Sequence, residues 1–537
     1  MNEVRPNWLL WLVWLGLLAG VALLARPALP LDETRYLAVA WEMWQRGDFL
    51  VPFKNGETYS HKPPLLFWLI HAGWGVFGVN DWWPRLLSPL LALSATALTW
   101  RLARRLWPGA ADTARLAPLV LLSSLLWLIY AEALFFDVLI AVCALIGLTG
   151  LVEAAFGGRR RAWALFGLGV GLGVLAKGPA ILVHLLPAAL LAPWWLRHAA
   201  ERPVSWRRWY GGVGLGLLLG TAIALAWAIP AGLSGGEEYR NAIFWGQTAN
   251  RMVESFAHQR PVWWYLALLP LLLFPWLFWP RLLWGLIRHI RAEGSDPGLR
   301  FALVWFLGGL LVFSFISGKQ PHYLLPEFPA AALILGHLLA RQPPAGRPWA
   351  PALALLALGL WLSLLGLGLL EAQGSLSVAR AWPAWAGLGF LLAGLLALSG
   401  QDPRKRIRRL AWSTLLAVLW LLAALIRPLT PAYDMAPISR ELARYQAEGR
   451  PVANAANYHA QFQFAGRLSR PLEEIGSRDV PAWLARHPRG VVVVYLKRGQ
   501  NAEGYQPLFS QPYRTGTALL IDARDATVAV GGAEDKE

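Results

Sequence analysis

The run WLLWLVWLGLLAGVALL, Trp8–Leu24, holds no charged residue. At 1.5 Å per residue such a helix reaches about 26 Å, close to the ~30 Å of a bilayer's hydrocarbon. Similar runs recur as far as Arg427, and they decide the fold class: a polytopic α-helical membrane protein. Composition agrees, with 56% hydrophobic and only 15% charged residues among 537, where a soluble domain carries about a quarter charged. The pattern fits about thirteen spans, near 8–25, 83–106, 114–131, 134–156, 162–176, 178–196, 209–232, 262–283, 299–317, 322–340, 350–370, 383–399 and 409–427. The expected division is a transmembrane domain over 1–430, with long loops 26–82 and 233–261, and a soluble α/β domain over 431–537.

The net charge of +17 does not signal nucleic acid. Its arginines cluster at Arg101–Arg105, Arg159–Arg161, Arg197–Arg208, Arg281–Arg300, Arg341 with Arg347, and Arg404–Arg409, in alternate inter-helix loops. That alternation is the positive-inside pattern, so these loops are expected in the cytoplasm together with the N-terminus. An odd span number then places 431–537 in the periplasm, on the side of the two long loops. The lone cysteine, Cys143, lies within an apolar segment and excludes an internal disulfide.

Polar residues that break this pattern gather on the expected outer side. Asp32 and Glu33 follow the first span and open a short amphipathic helix, Thr34–Arg46, which either carboxylate is suited to cap. Asp137 stands at the outer end of another span, where capping is again an alternative to chemistry. Lys62, Lys177 and Lys319 each sit in a loop beside a proline, in Lys62-Pro63-Pro64, Lys177-Gly178-Pro179 and Lys319-Gln320-Pro321. Ammonium groups on the non-cytoplasmic side run against the topological bias, and an anion such as a phosphate accounts for them. Loop 233–261 adds Arg251 and His258 and has the length of a lid. His61 and His258, with a carboxylate such as Glu33, could hold zinc, or could equally contact phosphate or a sugar hydroxyl. No cofactor is otherwise required.

Missing motifs narrow the anion. There is no glycine-rich phosphate loop after a strand; the series Gly167, Gly169, Gly171 and Gly173 lies in an apolar span and reads as a surface for close helix contact. An anionic substrate on a face where nucleotides are scarce points to a lipid-linked phosphate whose tail lies between spans.

At these residues the chain resembles the lipid-dependent glycosyltransferases of the GT-C class, in the bacterial branch of the lipid A aminoarabinose transferases and their protein-mannosyltransferase-like relatives. The matching elements are Asp32-Glu33-Thr34-Arg35-Tyr36 with Lys62-Pro63-Pro64-Leu65, Lys177-Gly178-Pro179, and Lys319-Gln320-Pro321-His322-Tyr323. The resemblance implies transfer of a sugar from undecaprenyl phosphate to a periplasmic-face acceptor, with inversion. It implies Asp32 as catalytic acid position and Asp137 as second carboxylate, with Glu33 beside them. It also implies Lys62 and Lys177 as lipid-phosphate contacts and Lys319 with Tyr323 as the outer cavity; Arg251, from the lid-length loop, is a further cation suited to the departing phosphate. One departure leaves the sugar open: the aminoarabinose enzymes usually carry Phe-Glu before Lys-Pro-Pro, where this chain has Ser60-His61. Expected partners are the polyprenyl-phosphate donor, a lipid or glycan acceptor and membrane lipid, with no nucleic acid. A flippase for polyprenyl-linked glycans, a protein O-glycosyltransferase and a non-catalytic assembly subunit are the rival readings.

Overall fold

The computed structural model describes residues 6–158, 160–197, 199, 205–246, 259–370, 382–497, 500 and 505–525. They form two compact units. One comprises Met1–Leu24, His61–Leu66 and Asp81–Leu425; the other comprises Ala25–Ser60, Phe67–Asn80 and Ile426–Glu537.

In the first unit the backbone is helical because apolar side chains offer it no partners; in hydrocarbon each N–H and C=O must be satisfied within its own helix. Among the described residues nine helices are long and apolar enough to cross a membrane, or ten if the bent pair Ala111–Leu122 and Leu125–Ala131 counts as one crossing. That pair bends by 67° at Ser123 and Ser124. There the hydroxyls bond back to the Leu119 and Val120 carbonyls, and the amide freed at Leu125 finds Phe274 O at 2.9 Å. The expected span 262–283 divides into Trp264–Leu272 and Pro280–Ala292, with two prolines, Pro275 and Pro280, at the break.

Arg161–Lys177 and Ile181–Leu190 form a hairpin around Gly178, which takes φ +69°, a conformation open to glycine. Gly147, on the helix Phe136–Gly157, is met by Gly169 from one arm and by Leu185 from the other, so the chain must reverse between them. The glycine series lets the arms approach. A Cβ at Gly167 would stand 2.7 Å from Gly216 O on the helix Trp206–Ser234, and one at Gly171 would stand 2.7 Å from the Ile223 side chain. The series is a helix-contact surface, as its spacing implies.

The second unit is built on a five-stranded sheet in the order β4-β3-β5-β7-β6. Its strands are β3 (Val452–Asn454), β4 (Glu473–Glu474), β5 (Val491–Leu496), β6 (Phe509–Tyr513) and β7 (Gly516–Ile521). β3 runs parallel to β4 and β5, while β7 pairs antiparallel with β5 and β6. The run Val491–Val494 is apolar at every position because both faces of β5 are covered. Val491 and Val493 pack with Ile438, Leu442 and Tyr445 of the helix Ala436–Ala447. Val492 and Val494 pack with Trp483 and Leu484 of the helix Val480–Arg486.

Against an expected division near residue 430, most of the first long loop groups with this sheet. Its hairpin β1 (Phe53–Lys54) and β2 (Glu57–Thr58) turns on Asn55-Gly56, with φ +53° and +91°, a two-residue turn suited to that pair. The Asn55 amide donates to Leu472 O at 2.9 Å and accepts from Leu472 N at 2.8 Å. Trp41 Nε1 donates to Leu468 O at 3.0 Å, and Trp74 stacks on Phe464 with ring centroids 5.3 Å apart. A loop that satisfies its polar groups on a distant segment folds with that segment.

Candidate active site

In the helical unit, polar side chains from four segments converge on Asp137. The helix Phe136–Gly157 begins with Phe135 as its cap residue and no side-chain cap bond. The Asp137 carboxylate therefore does not cap; it pairs with Lys177 Nζ, from the turn of the hairpin. Lys177 Nζ also lies 4.7 Å from the centroid of the Tyr323 ring, within cation–π range. Lys62 Nζ stands 5.6 Å from the ring of Phe136, and the charges of Lys62 and His322 both act on Asp137 along with that of Lys177. His322 Nδ1 is 3.1 Å from Tyr130 Oη, and its ring is tilted against Phe135. Asp137 is buried, whereas the Lys177 side chain keeps 18% of its exposure, so an ammonium partly open to a ligand is held by a carboxylate that is not.

Four sequence-derived residues thus meet: Lys62, Asp137, Lys177 and Tyr323. Two members, His322 and Tyr130, lie outside the set expected from the sequence. His322 sits inside the quoted Lys319–Tyr323 element, so its neighbour was a usable signal; nothing local marks Tyr130.

Lys319 is placed differently. Its Nζ donates to Arg260 O at 2.8 Å and Ile316 O at 2.6 Å, and the residue is 2% exposed. Burial pushes its pKa below the usual lysine range. Two carbonyls thus hold this ammonium, which ties down the loop leading to Pro321–Glu327.

Asp32 and Glu33 belong to the sheet unit. Glu33 is buried and forms a two-pronged pair with Arg26 at 2.5 and 3.0 Å, while also accepting Leu29 N at 2.7 Å. Both of its oxygens brace the entry to the helix Asp32–Arg46. The Asp32 side chain is 48% exposed, with Tyr36 Oη at 3.4 Å and Arg35 at 3.8 Å from Oδ1. His61 is exposed. Arg251 and His258 lie outside the described residues. Among the described residues no three His, Cys, Asp or Glu side chains gather to hold a metal ion, and the His61–His258 pair is incomplete there.

In the same unit an apolar groove of about 830 Å³ runs among the helices Trp264–Leu272, Pro280–Ala292, Pro297–Phe315 and Phe328–Arg341, lined by Leu269, Leu273, Leu303, Leu307, Leu311 and Ile334 among others. Leu311 lies one turn before Phe315, the last residue of the helix Pro297–Phe315.

A family model described as dolichyl-phosphate-mannose-protein mannosyltransferase matches residues 61–229. The undecaprenyl phosphate-alpha-4-amino-4-deoxy-L-arabinose arabinosyl transferase of Pseudomonas paraeruginosa is 30% identical over 517 residues, 94% of this chain and 87% of the relative. The chain belongs to this arabinosyl transferase family. The arabinosyl transferase of Pseudomonas aeruginosa is 31% identical, over 93% of this chain and 87% of its own length. The crystal structure of ArnT from Cupriavidus metallidurans bound to undecaprenyl phosphate superposes with a TM-score of 0.75 at 20% identity, covering 98% of this chain and 99% of that one. Its apo state gives 0.76 at 21% identity, covering 96% and 98%. Lys62, Asp137 and Lys177 fall within the family-model match; His322 and Tyr323 lie beyond it.

Proposed function

We propose that this chain transfers a sugar from undecaprenyl phosphate to an acceptor at the periplasmic face of the bacterial inner membrane, with inversion. The observation that carries this reading is the convergence of Lys62, Lys177 and His322 on Asp137 beside Tyr323, in a chain whose relatives over almost its whole length are arabinosyl transferases acting from that carrier. The bond from the sugar's anomeric carbon to the carrier phosphate breaks as an acceptor oxygen bonds to that carbon. Undecaprenyl phosphate leaves with the electron pair. Lys62 and Lys177 stabilise the charge that grows on the leaving phosphate, where preorganised cations act most strongly. Asp137 holds Lys177 in place, and the apolar groove takes the polyprenyl tail. Asp32 orients or deprotonates the acceptor; where it acts as a true base the effect is typically 10²–10⁴-fold.

The first donor to try is undecaprenyl phosphate-α-4-amino-4-deoxy-L-arabinose, and the first acceptor lipid A. A protein acceptor is the second reading, favoured by the description of the matching family model. We further read thirteen crossings, counting both arms of the Gly178 hairpin, the bent pair, Trp264–Leu272 with its continuation, and Ala384–Leu398. The sheet unit then lies in the periplasm and the N-terminus in the cytoplasm.

The test uses the purified full chain in nanodiscs with labelled donor, offered lipid A or Ser/Thr peptides. Wild type is expected to transfer label, Asp32→Asn to lose transfer with carrier binding kept, and Lys62→Ala to lose carrier binding. A wild type that transfers to neither acceptor sinks the reading.

A further inference from the structure

A second buried pair lies beneath the site and has no part in the chemistry above. The hairpin arm Ile181–Leu190 carries His184, seven residues past Lys177. The 3₁₀ segment Pro321–Glu327 carries Tyr323 and ends in Glu327. His184 Nδ1 lies 2.6 Å from Glu327 Oε1, with both side chains wholly or almost wholly buried. The Phe313 ring stands between the two levels, 5.4 Å from the His184 ring and 6.0 Å from that of Tyr323. The hairpin and the 3₁₀ segment are therefore joined by two rungs: Lys177 over Tyr323, and His184 to Glu327.

The chain makes room for this pair. A Cβ at Gly309 would collide with Glu327 Oε1, and Glu327 Oε2 has no hydrogen-bond partner among the described residues. Stability does not account for such an arrangement. Swapping a buried ion pair for apolar side chains of similar volume is often neutral or stabilising, and an acid at membrane depth is costly to keep. What the pair does hold is geometry. The other end of the 3₁₀ segment is tied as well, by Tyr265 Oη donating to the O of its cap residue Gln320 at 2.8 Å and by Tyr130 against His322.

We propose that His184 and Glu327 are positioning residues that hold Tyr323 under the Lys177 ammonium, so that Lys177 is presented to the carrier phosphate. This rests on the function proposed above. Glu327→Leu combined with His184→Phe removes the rung and leaves an apolar interior. That variant is expected to match or exceed the wild-type Tm while kcat/KM for transfer falls about 10- to 100-fold, the scale of a displacement near 1 Å. Glu327→Gln keeps an acceptor for His184 and restores most of the activity. In a Tyr323→Ala background the same double change has no further effect, because both act through one contact.

A fall in Tm that accompanies the loss of activity, additivity with Tyr323→Ala, or unchanged kinetics each overturns the proposal. If wild type transfers no sugar, the parent reading fails, and the same variants are judged by the Kd for undecaprenyl phosphate alone. A weakened Kd at unchanged Tm then supports positioning, and an unchanged Kd overturns it.

Discussion

Asp137 shows how one residue's role is set by what reaches it. A carboxylate in the first turn of a helix is well placed to cap, yet here it turns to Lys177 instead. Lys177→Met removes the ammonium and leaves the Asp137 charge buried without its partner, which costs about 3–5 kcal/mol and is expected to lower Tm markedly. Adding Asp137→Leu restores Tm without restoring the ligand. Undecaprenyl phosphate binding is expected to stay weaker by about 1.5–3 kcal/mol, roughly 10- to 150-fold in Kd, as for one lost charge-assisted bond. Thermal unfolding and lipid titration of the three proteins separate these effects. Binding that recovers in the double variant excludes Lys177 as a phosphate contact. The lysines and Asp137 were legible in the chain because charge beside a bilayer stands out, whereas Tyr323 was marked only by the resemblance of the Lys319–Tyr323 element. That Glu33 is taken up by Arg26 and Lys319 by two carbonyls was not legible, since such partners follow from loop closure.

At the scale of elements, the glycine series carries the packing of three helices. Gly169→Leu drives a side chain into Gly147 and the Cys143 carbonyl, whereas Gly214, on the neighbouring helix Trp206–Ser234, faces open space. Gly169→Leu is expected to abolish recovery of folded protein, and Gly214→Ala to leave expression and Tm unchanged, as read by fluorescence-detected size exclusion. The helix Leu65–Phe77 supplies a pH-dependent element. His71 donates from Nε2 to Ala40 O at 2.9 Å, amid Trp44, Phe49 and Trp74, and its Nδ1 has no partner among the described residues. Burial lowers its pKa, outweighing the bond to Ala40, which raises it. The unfolded chain therefore takes the proton first. Stability is full above about pH 6.5, the ordinary histidine value, and is lost as pH falls below it toward the depressed folded value. Thermal scans from pH 8 to pH 5 should show this loss in wild type and a smaller one in His71→Gln; identical slopes exclude His71 as the source.

For the whole molecule, the proposed orientation has a direct test. Cys143, the one cysteine, is buried, so single introduced cysteines report their own accessibility. Ser469→Cys in the sheet unit is expected to react with a membrane-impermeant maleimide in spheroplasts, and Lys405→Cys, in an arginine cluster, only after lysis; the reverse pattern would invert the topology. The chain by itself determined the membrane class, most helix positions, the strand Val491–Leu496 and the identity of the lysines. These follow from composition, hydrophobic period and charge bias, which are properties of short windows. Tertiary structure alone decided that Lys177 meets Asp137 across 40 positions and His184 meets Glu327 across 143. It also decided that the loop after the first helix folds with the C-terminal sheet through Asn55 and Leu472, 417 positions apart. Such pairings depend on where hairpins close and which helices approach, and no local pattern encodes the distance between two loops.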